Sequence, residues 1–395
     1  MPRYNGGFIG HDGPDAPDPP TDITPTAGGG EVSVAFTSPT DTGTSAITGF
    51  VAQVSTDGTD YSGGSGTGSS SPVTVSSLTN GTAYTAKVWA VNAYGTSEPS
   101  EASSSFTPQL SRGLFMGGTS YTNVIEYISI PTTGNAQDFG DLSAAKSTAT
   151  AFSSDSRGVY AGGRTSSASR VNVMEYVTLD TTGNVTDFGD LSSARKSLAG
   201  LSNQTRGMTG GGDGGSPSVD IIEYVTIANT GNMTDFGNLT QEKELSFACS
   251  SPTRGVFAGG SSNDTIEYVT IESTGNATDF GNLTSTANSM NGEGCSSETR
   301  GIFGHAEVIQ YITIASTGNA TDFGDFTTGN TNGPGACSSN VRGVFGGGEI
   351  YGTGSNTDTL QYITISTTGD TTDFGDLTAA KRRIAACSSS HGGLQ

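Results

Sequence analysis

Between residues 20 and 108 apolar and polar positions alternate over short runs broken by turn residues, as in EVSVAF (31–36), GFVAQVS (49–55), PVTVSSL (72–78) and AYTAKVWAVNA (83–93). A period of two places alternate side chains on opposite faces of a strand, so these runs predict an antiparallel sandwich. Val88 and Ala90 then face inward, and Trp89 between them faces outward, to pack against a neighbouring strand or domain or else to serve as a contact residue. From residue 110 the pattern changes to a repeated phrase, RGVFAGG…IEYVTI…TGNATDFGNLT, found six times with variations. Its Asp-Phe-Gly elements begin at Asp138, Asp187, Asp235, Asp279, Asp322 and Asp373, and its Arg-Gly glycines fall at 113, 158, 207, 255, 301 and 343, with a seventh equivalent at Gly393. A period in the forties with short strands and paired glycines predicts one four-stranded sheet per repeat. In the fourth copy the strands read 246–250 (innermost), 255–260, 265–271 and 278–283 (outermost), with STGN as the turn between the last two. The first copy lacks an innermost strand and RRIAACSSSHGGLQ lacks a following sheet. The last segment is therefore expected to complete the first sheet and close the array.

Two family resemblances follow from these residues. The segment PPTDITPTAGGGEVSVAF…LTNGTAYTAKVWAVNAYGTSEPS resembles a fibronectin type III domain, with Leu78, Gly81 and Tyr84 on its L-x-x-G-x-x-Y corner and Ala90, Asn92 and Gly95 on its A-x-N-x-x-G segment. Phe36 stands where that family usually has a core Trp. The repeats resemble kelch repeats, with a double glycine after strand two and an aromatic on strand four. Phe replaces the usual strand-four Trp, and the fifth copy, GIFGHAEVIQY, lacks the double glycine. Together the resemblances imply an all-β chain: an N-terminal tail (1–19), a fibronectin III-like β-sandwich (20–108) and a six-bladed kelch-like β-propeller (109–395) closed by the C-terminal strand.

Composition narrows the function. The net charge is −21, from 38 acidic and 17 basic residues, a field that repels phosphate backbones and argues against a nucleic-acid partner. No apolar run is long enough for a membrane helix, and MPRYNGGFIGHDGPD has no signal-peptide pattern. The four cysteines fit no zinc spacing. Three of them lie five residues before a recurring Arg (Cys249, Cys295, Cys337), and Cys387 holds the matching position in the last copy; Phe152 and Leu201 occupy it elsewhere. They are read as free, buried apolar residues. No nucleophile arrangement surrounds His11, His305 or His391, and no phosphate-cradling loop occurs, so no catalytic residues, no cofactor and no metal are expected. Asp-Phe-Gly is the tripeptide with which protein kinases hold magnesium, but six copies without the companion motifs read as outer-strand packing.

The distance from the Arg-Gly glycine to the strand-three Tyr varies from 10 to 19 residues between copies, whereas the distance from that Tyr to the Asp of Asp-Phe-Gly stays at 11. Repeat folds bind through the face carrying their insertions. The contact candidates on those loops are Tyr121, Arg164, Arg170, Asp213, His305 and Tyr351. The recurring Arg112, Arg157, Arg206, Arg254, Arg300 and Arg342 are read as structural, each held by a carbonyl or by the Glu or Gln before the strand-three Tyr.

The opening MPRYNGGFIG and the degenerate repeat array are similar to structural proteins of tailed bacteriophages, particularly marine ones. That resemblance implies a non-enzymatic virion protein assembled in the host cytoplasm: a tail fibre, appendage or capsid decoration. Tyr4, Phe8 and Ile9 would anchor its tail to other virion proteins, and the repeats would contact host-surface polysaccharide or protein, the protein being oligomeric in the particle. The alternatives are a purely architectural virion protein and a propeller glycan-degrading enzyme.

Overall fold

The computed structural model describes residues 15–108, 111–119, 121–215, 217–260, 263–287, 294–327, 333–350 and 353–394. Tyr4, Phe8, Ile9 and Tyr351 lie outside the described residues. The chain divides into two compact units, Met1–Leu110 and Ser111–Gln395, and the described residues contain strands and one short 3₁₀ turn but no α-helix.

The first unit is a sandwich of a three-stranded sheet (Thr21–Gly28, Glu31–Thr37, Val73–Ser76) and a four-stranded sheet (Ser65–Gly68, Ile47–Ser55, Thr85–Asn92, Gly95–Thr96). Its core is the inward half of the alternation: Val32, Val34, Phe36, Phe50, Ala52, Val54, Val88 and Ala90. Phe36 packs at 4.6 Å from Phe50, filling the core from the position where Trp would stand. Tyr84 is buried and its hydroxyl accepts from Thr79 N at 3.2 Å, fixing the corner. Asn92 is buried as a turn clamp, its Oδ1 accepting from Tyr94 N and Gly95 N. Trp89 faces out, half-buried against the edge of Tyr61 at 6.5 Å.

The second unit contains six antiparallel four-stranded sheets. The fourth runs Phe247–Ser250, Arg254–Ala258, Asn263–Thr270 and Thr278–Ala287, from innermost to outermost, matching the strand order read from the repeat. In the first sheet the innermost strand is Ala385–Ser388, paired antiparallel with Arg112–Met116, so the last strand does complete the first sheet. Each innermost strand packs against those of the neighbouring sheets, and the sixth packs against the first.

Two contacts join each sheet to the next. One uses the Arg-Gly glycine: a Cβ on Gly301 would lie 2.4 Å from Cys249 Sγ, and one on Gly255 would lie 2.7 Å from a Leu201 methyl. The residue before the recurring Arg by five thus fills the space that glycine leaves open in the following sheet. That is why Cys, Phe and Leu interchange there; all four cysteines are buried and none is in a disulfide. Burial pushes the Cys295 thiol up to about 12, so it is an apolar filler rather than a nucleophile.

The second contact uses Asp-Phe-Gly. Phe280 is buried, Asp279 is exposed, and the register shifts at Ile266/Glu267 where Gly281 makes a bulge. Gly281 has φ +151, and a Cβ there would lie 2.3 Å from Gly318 O in the next sheet's turn. That turn docks on the bulge: Gly318 N donates to Phe280 O at 2.7 Å, and Asn282 N donates to Asn319 Oδ1 at 3.0 Å. The same pair of bonds joins the sixth sheet to the first, through Gly134 N to Phe374 O and Asp376 N to Asn135 Oδ1. In STGN the glycine supplies the unusual φ, whereas the asparagine accepts a hydrogen bond from the neighbouring sheet.

Candidate binding face and axial cavity

The six innermost strands surround a narrow axial cavity with different chemistry at its two ends. At the end reached by the Arg-Gly turns, six serines form a closed hydrogen-bond circuit. Ser202 Oγ donates to Ser153 O, Ser250 Oγ to Ser202 O, Ser296 Oγ to Ser250 O, Ser338 Oγ to Ser296 O, Ser388 Oγ to Ser338 O and Ser153 Oγ to Ser388 O, at 2.6–2.8 Å. His391 fills the centre. Its Nδ1 accepts from Gly393 N at 3.1 Å, which leaves Nε2 protonated and facing Ser153 O at 3.3 Å. Gly393 is therefore not a seventh strand-two glycine. It belongs to the buried turn Gly392–Leu394, where a Cβ would meet Ser202 O at 2.1 Å.

Burial lowers the His391 pKa from 6.5 to about 4, partly offset by the bond to Ser153 O. A folded pKa below the unfolded one means the unfolded chain takes up the proton first. His391 is thus neutral in both states above about pH 6.5. As pH falls from there towards 4 it destabilises the fold progressively, by roughly 3 kcal/mol at most. The expected result is that the stability difference between wild type and His391→Gln, measured by urea unfolding, shrinks or reverses between pH 7 and pH 5. A difference independent of pH over that range would refute the assignment.

The recurring arginines are structural, but not through the strand-three carboxylates. Each guanidinium lies over the strand-three Tyr of its own sheet, as Arg254 does over Tyr268 at 4.2 Å, and donates to a carbonyl of the next sheet, as Arg254 Nη1 does to Ile314 O at 2.7 Å. The carboxylates have other partners. Glu126 pairs with Lys381 at 3.2 Å, Glu175 with Lys146 at 2.8 Å, Glu223 with Arg195 and Glu267 with Lys243, and all eight side chains are almost fully buried. In the fifth and sixth sheets the position is Gln310 or Gln361, accepting instead from Thr284 N or the Thr371 and Thr327 hydroxyls. Each cation stands eight residues after the Asp of the preceding Asp-Phe-Gly. That spacing was a readable signal: the two Gln copies, alone of the six, have no Lys or Arg there. A buried charge without its counter-ion is costly, so the charge and its partner appear or vanish together.

At the opposite end, edged by the loops of variable length, Thr148, Ser197, Leu245 and Arg383 each stand two residues before an innermost strand, all at φ +56 to +65. Arg383 lines the opening together with Thr148, Thr150 and Ser246. The Arg164 guanidinium lies 5.7 Å from the centre of the Tyr121 ring. Burial lowers the Arg383 pKa, and the like charges of Arg382 and Arg164 lower it further, Tyr121 opposing them. Arg382 pairs with Glu349. Of the contact candidates, Tyr121 and Arg164 come together here. Asp213 instead is held by Arg170 and Lys196, each at 2.7 Å, so Arg170 and Asp213 brace two neighbouring loops. His305 packs edge-on to Phe247 at 6.3 Å. The sequence reading did not single out Arg382 or Arg383, because they sit in the loop of constant length between sheets.

A search of the curated proteins found no match to this chain. A family model does match part of it, Fibronectin type III domain, over residues 18–106. With the Tyr84 corner and the Asn92 clamp in place, residues 18–106 are a fibronectin type III domain.

Proposed function

We propose that residues 111–395 form a six-bladed, kelch-like β-propeller, and that the protein is a non-enzymatic virion component presenting the variable-loop face to a host surface. The propeller reading is supported by the serine circuit and by the repeated docking of each Gly-Asn turn on the preceding Asp-Phe-Gly bulge, including sixth sheet to first. The attachment reading is carried by the clustering of Tyr121, Arg164, Arg382 and Arg383 at the end of the axial cavity that the variable loops edge. The other end is filled by His391 and its hydrogen bonds. The virion setting rests on the sequence resemblance, with the N-terminal tail as the contact to other virion proteins.

Gold-labelled antibody against residues 111–395 is expected to decorate intact particles and to block their adsorption to cells. Absence of the chain from purified particles, by mass spectrometry, would overturn the virion assignment. Decoration without any block would favour an architectural role over attachment.

A further inference from the structure

We propose that Arg164 and Arg383, with the Tyr121 ring beside them, form a binding site for an anionic group carried on a saccharide, a carboxylate or a sulfate. The saccharide part of this assignment rests on the attachment reading above; the anion part rests on geometry.

The chain is strongly acidic, and the second unit commits most of its cations internally. Four are locked in buried pairs with strand-three glutamates, and six lie over tyrosines and hold carbonyls of the next sheet. Arg170 and Lys196 share Asp213, and Arg382 holds Glu349. Arg164 and Arg383 remain, with no carboxylate partner among the described residues. Pairing of Arg164 with Ser147, and the bond from Thr148 N to Arg383 O at 3.3 Å, set the two on adjoining segments, where their like charges oppose each other and Arg382 adds to the repulsion. Holding like charges together in a partly buried opening without a counter-ion is unfavourable, and a bound anion would relieve it.

Unpaired polar atoms point the same way. Arg164 Nε is buried with no hydrogen-bond partner among the described residues. So is Ser246 Oγ, whose residue is 6% exposed and lines the same opening as Arg383. Buried donors are ordinarily satisfied, and an oxyanion seated at the opening would accept from them. Guanidinium groups suit this task because their forked donors match the two oxygens of a carboxylate or sulfate. The neighbouring Tyr121 ring offers a flat face for the C–H groups of a sugar.

The test uses the full chain with four probes: oligogalacturonate for carboxylate, sulfated dextran oligomers for sulfate, neutral dextran and free inorganic sulfate. Calorimetry is expected to show binding of at least one charged oligosaccharide, weakened by salt, and none of neutral dextran. Arg164→Gln and Arg383→Gln should each weaken it about tenfold or more, with unchanged near-UV circular dichroism. Binding of free sulfate as tight as of the sulfated oligomer would overturn the saccharide part. Failure to bind either charged oligosaccharide, or equal binding by both variants, would overturn the site. Should a variant misfold, the unmodified protein still decides: the bound oligosaccharide must protect Arg164 and Arg383 from phenylglyoxal, read by mass spectrometry, and lack of protection refutes the site. Cell adsorption separates the two readings. Wild-type adsorption unaffected by both substitutions sinks the site but leaves attachment standing. Polyanion binding lost in the variants, with no adsorption by wild type, sustains the site and sinks attachment.

Discussion

Deleting residues 384–395 is expected to abolish cooperative unfolding of the second unit. The segment supplies the innermost strand of the first sheet, Ala385–Ser388, and with it Ile384, Ala385, Ala386 and Cys387 to two apolar clusters. It also supplies Ser388 to the serine circuit and His391 to the axis. Burial of the Ile384 and Leu394 side chains alone is worth roughly 1.5–3 kcal/mol each, before the strand hydrogen bonds are counted. The total loss is therefore on the order of 5 kcal/mol or more, comparable with the whole stability of many domains. It would also leave Arg112–Met116 as an unpaired edge, open to pairing with another chain. The truncated protein should elute as aggregate, and a synthetic peptide spanning 381–395 should restore a sharp thermal transition. An unaltered melting temperature after truncation would show that this strand does not hold the sheets together.

The second large effect concerns the buried ion pairs. Replacing Lys243 by Met leaves the Glu267 carboxylate buried without its counter-ion, which should cost about 3–5 kcal/mol, a fall of roughly 10 °C in melting temperature for a unit of this size. Replacing Glu267 by Gln in the same protein should recover most of that loss. Thr240 N, which donates to Glu267 at 2.6 Å, can donate equally to an amide oxygen, as Thr284 N does to Gln310 in the fifth sheet. The double variant thus copies the arrangement of the fifth sheet. Thermal melts of wild type, Lys243→Met and the double variant decide the matter. Equal losses in the single and double variants would mean that the charge of Glu267 is not what Lys243 compensates.

Much of this architecture was legible in residue order. Period-two alternation marked the sandwich and its core, down to the outward turn of Trp89. The repeat gave six sheets, the order of strands within each and the crossing of the last strand into the first sheet. These features are local: each depends on which face of a strand a residue occupies, and a period of two reports that directly. The partners of charged residues were less legible, since they lie in different sheets. Glu126 and Lys381 stand near opposite ends of the repeat array, and their link showed only as a Lys or Arg present in the copies that keep Glu. The Asn of each Gly-Asn turn looked like turn chemistry, yet its side chain is used by the neighbouring sheet.

Residue order dictates the all-β class, the sandwich, the number of repeats and the burial of the cysteines, because side-chain alternation and spacing within a repeat set them. Which cations lack a counter-ion among the described residues is set by the folded arrangement instead. Arg164 and Arg383 come from different loops, one variable and one constant, and no periodicity connects them. Their convergence at one end of the axial cavity, and the place of His391 at the other, depend on the return of the last strand to the first sheet, a pairing between residues more than 250 positions apart.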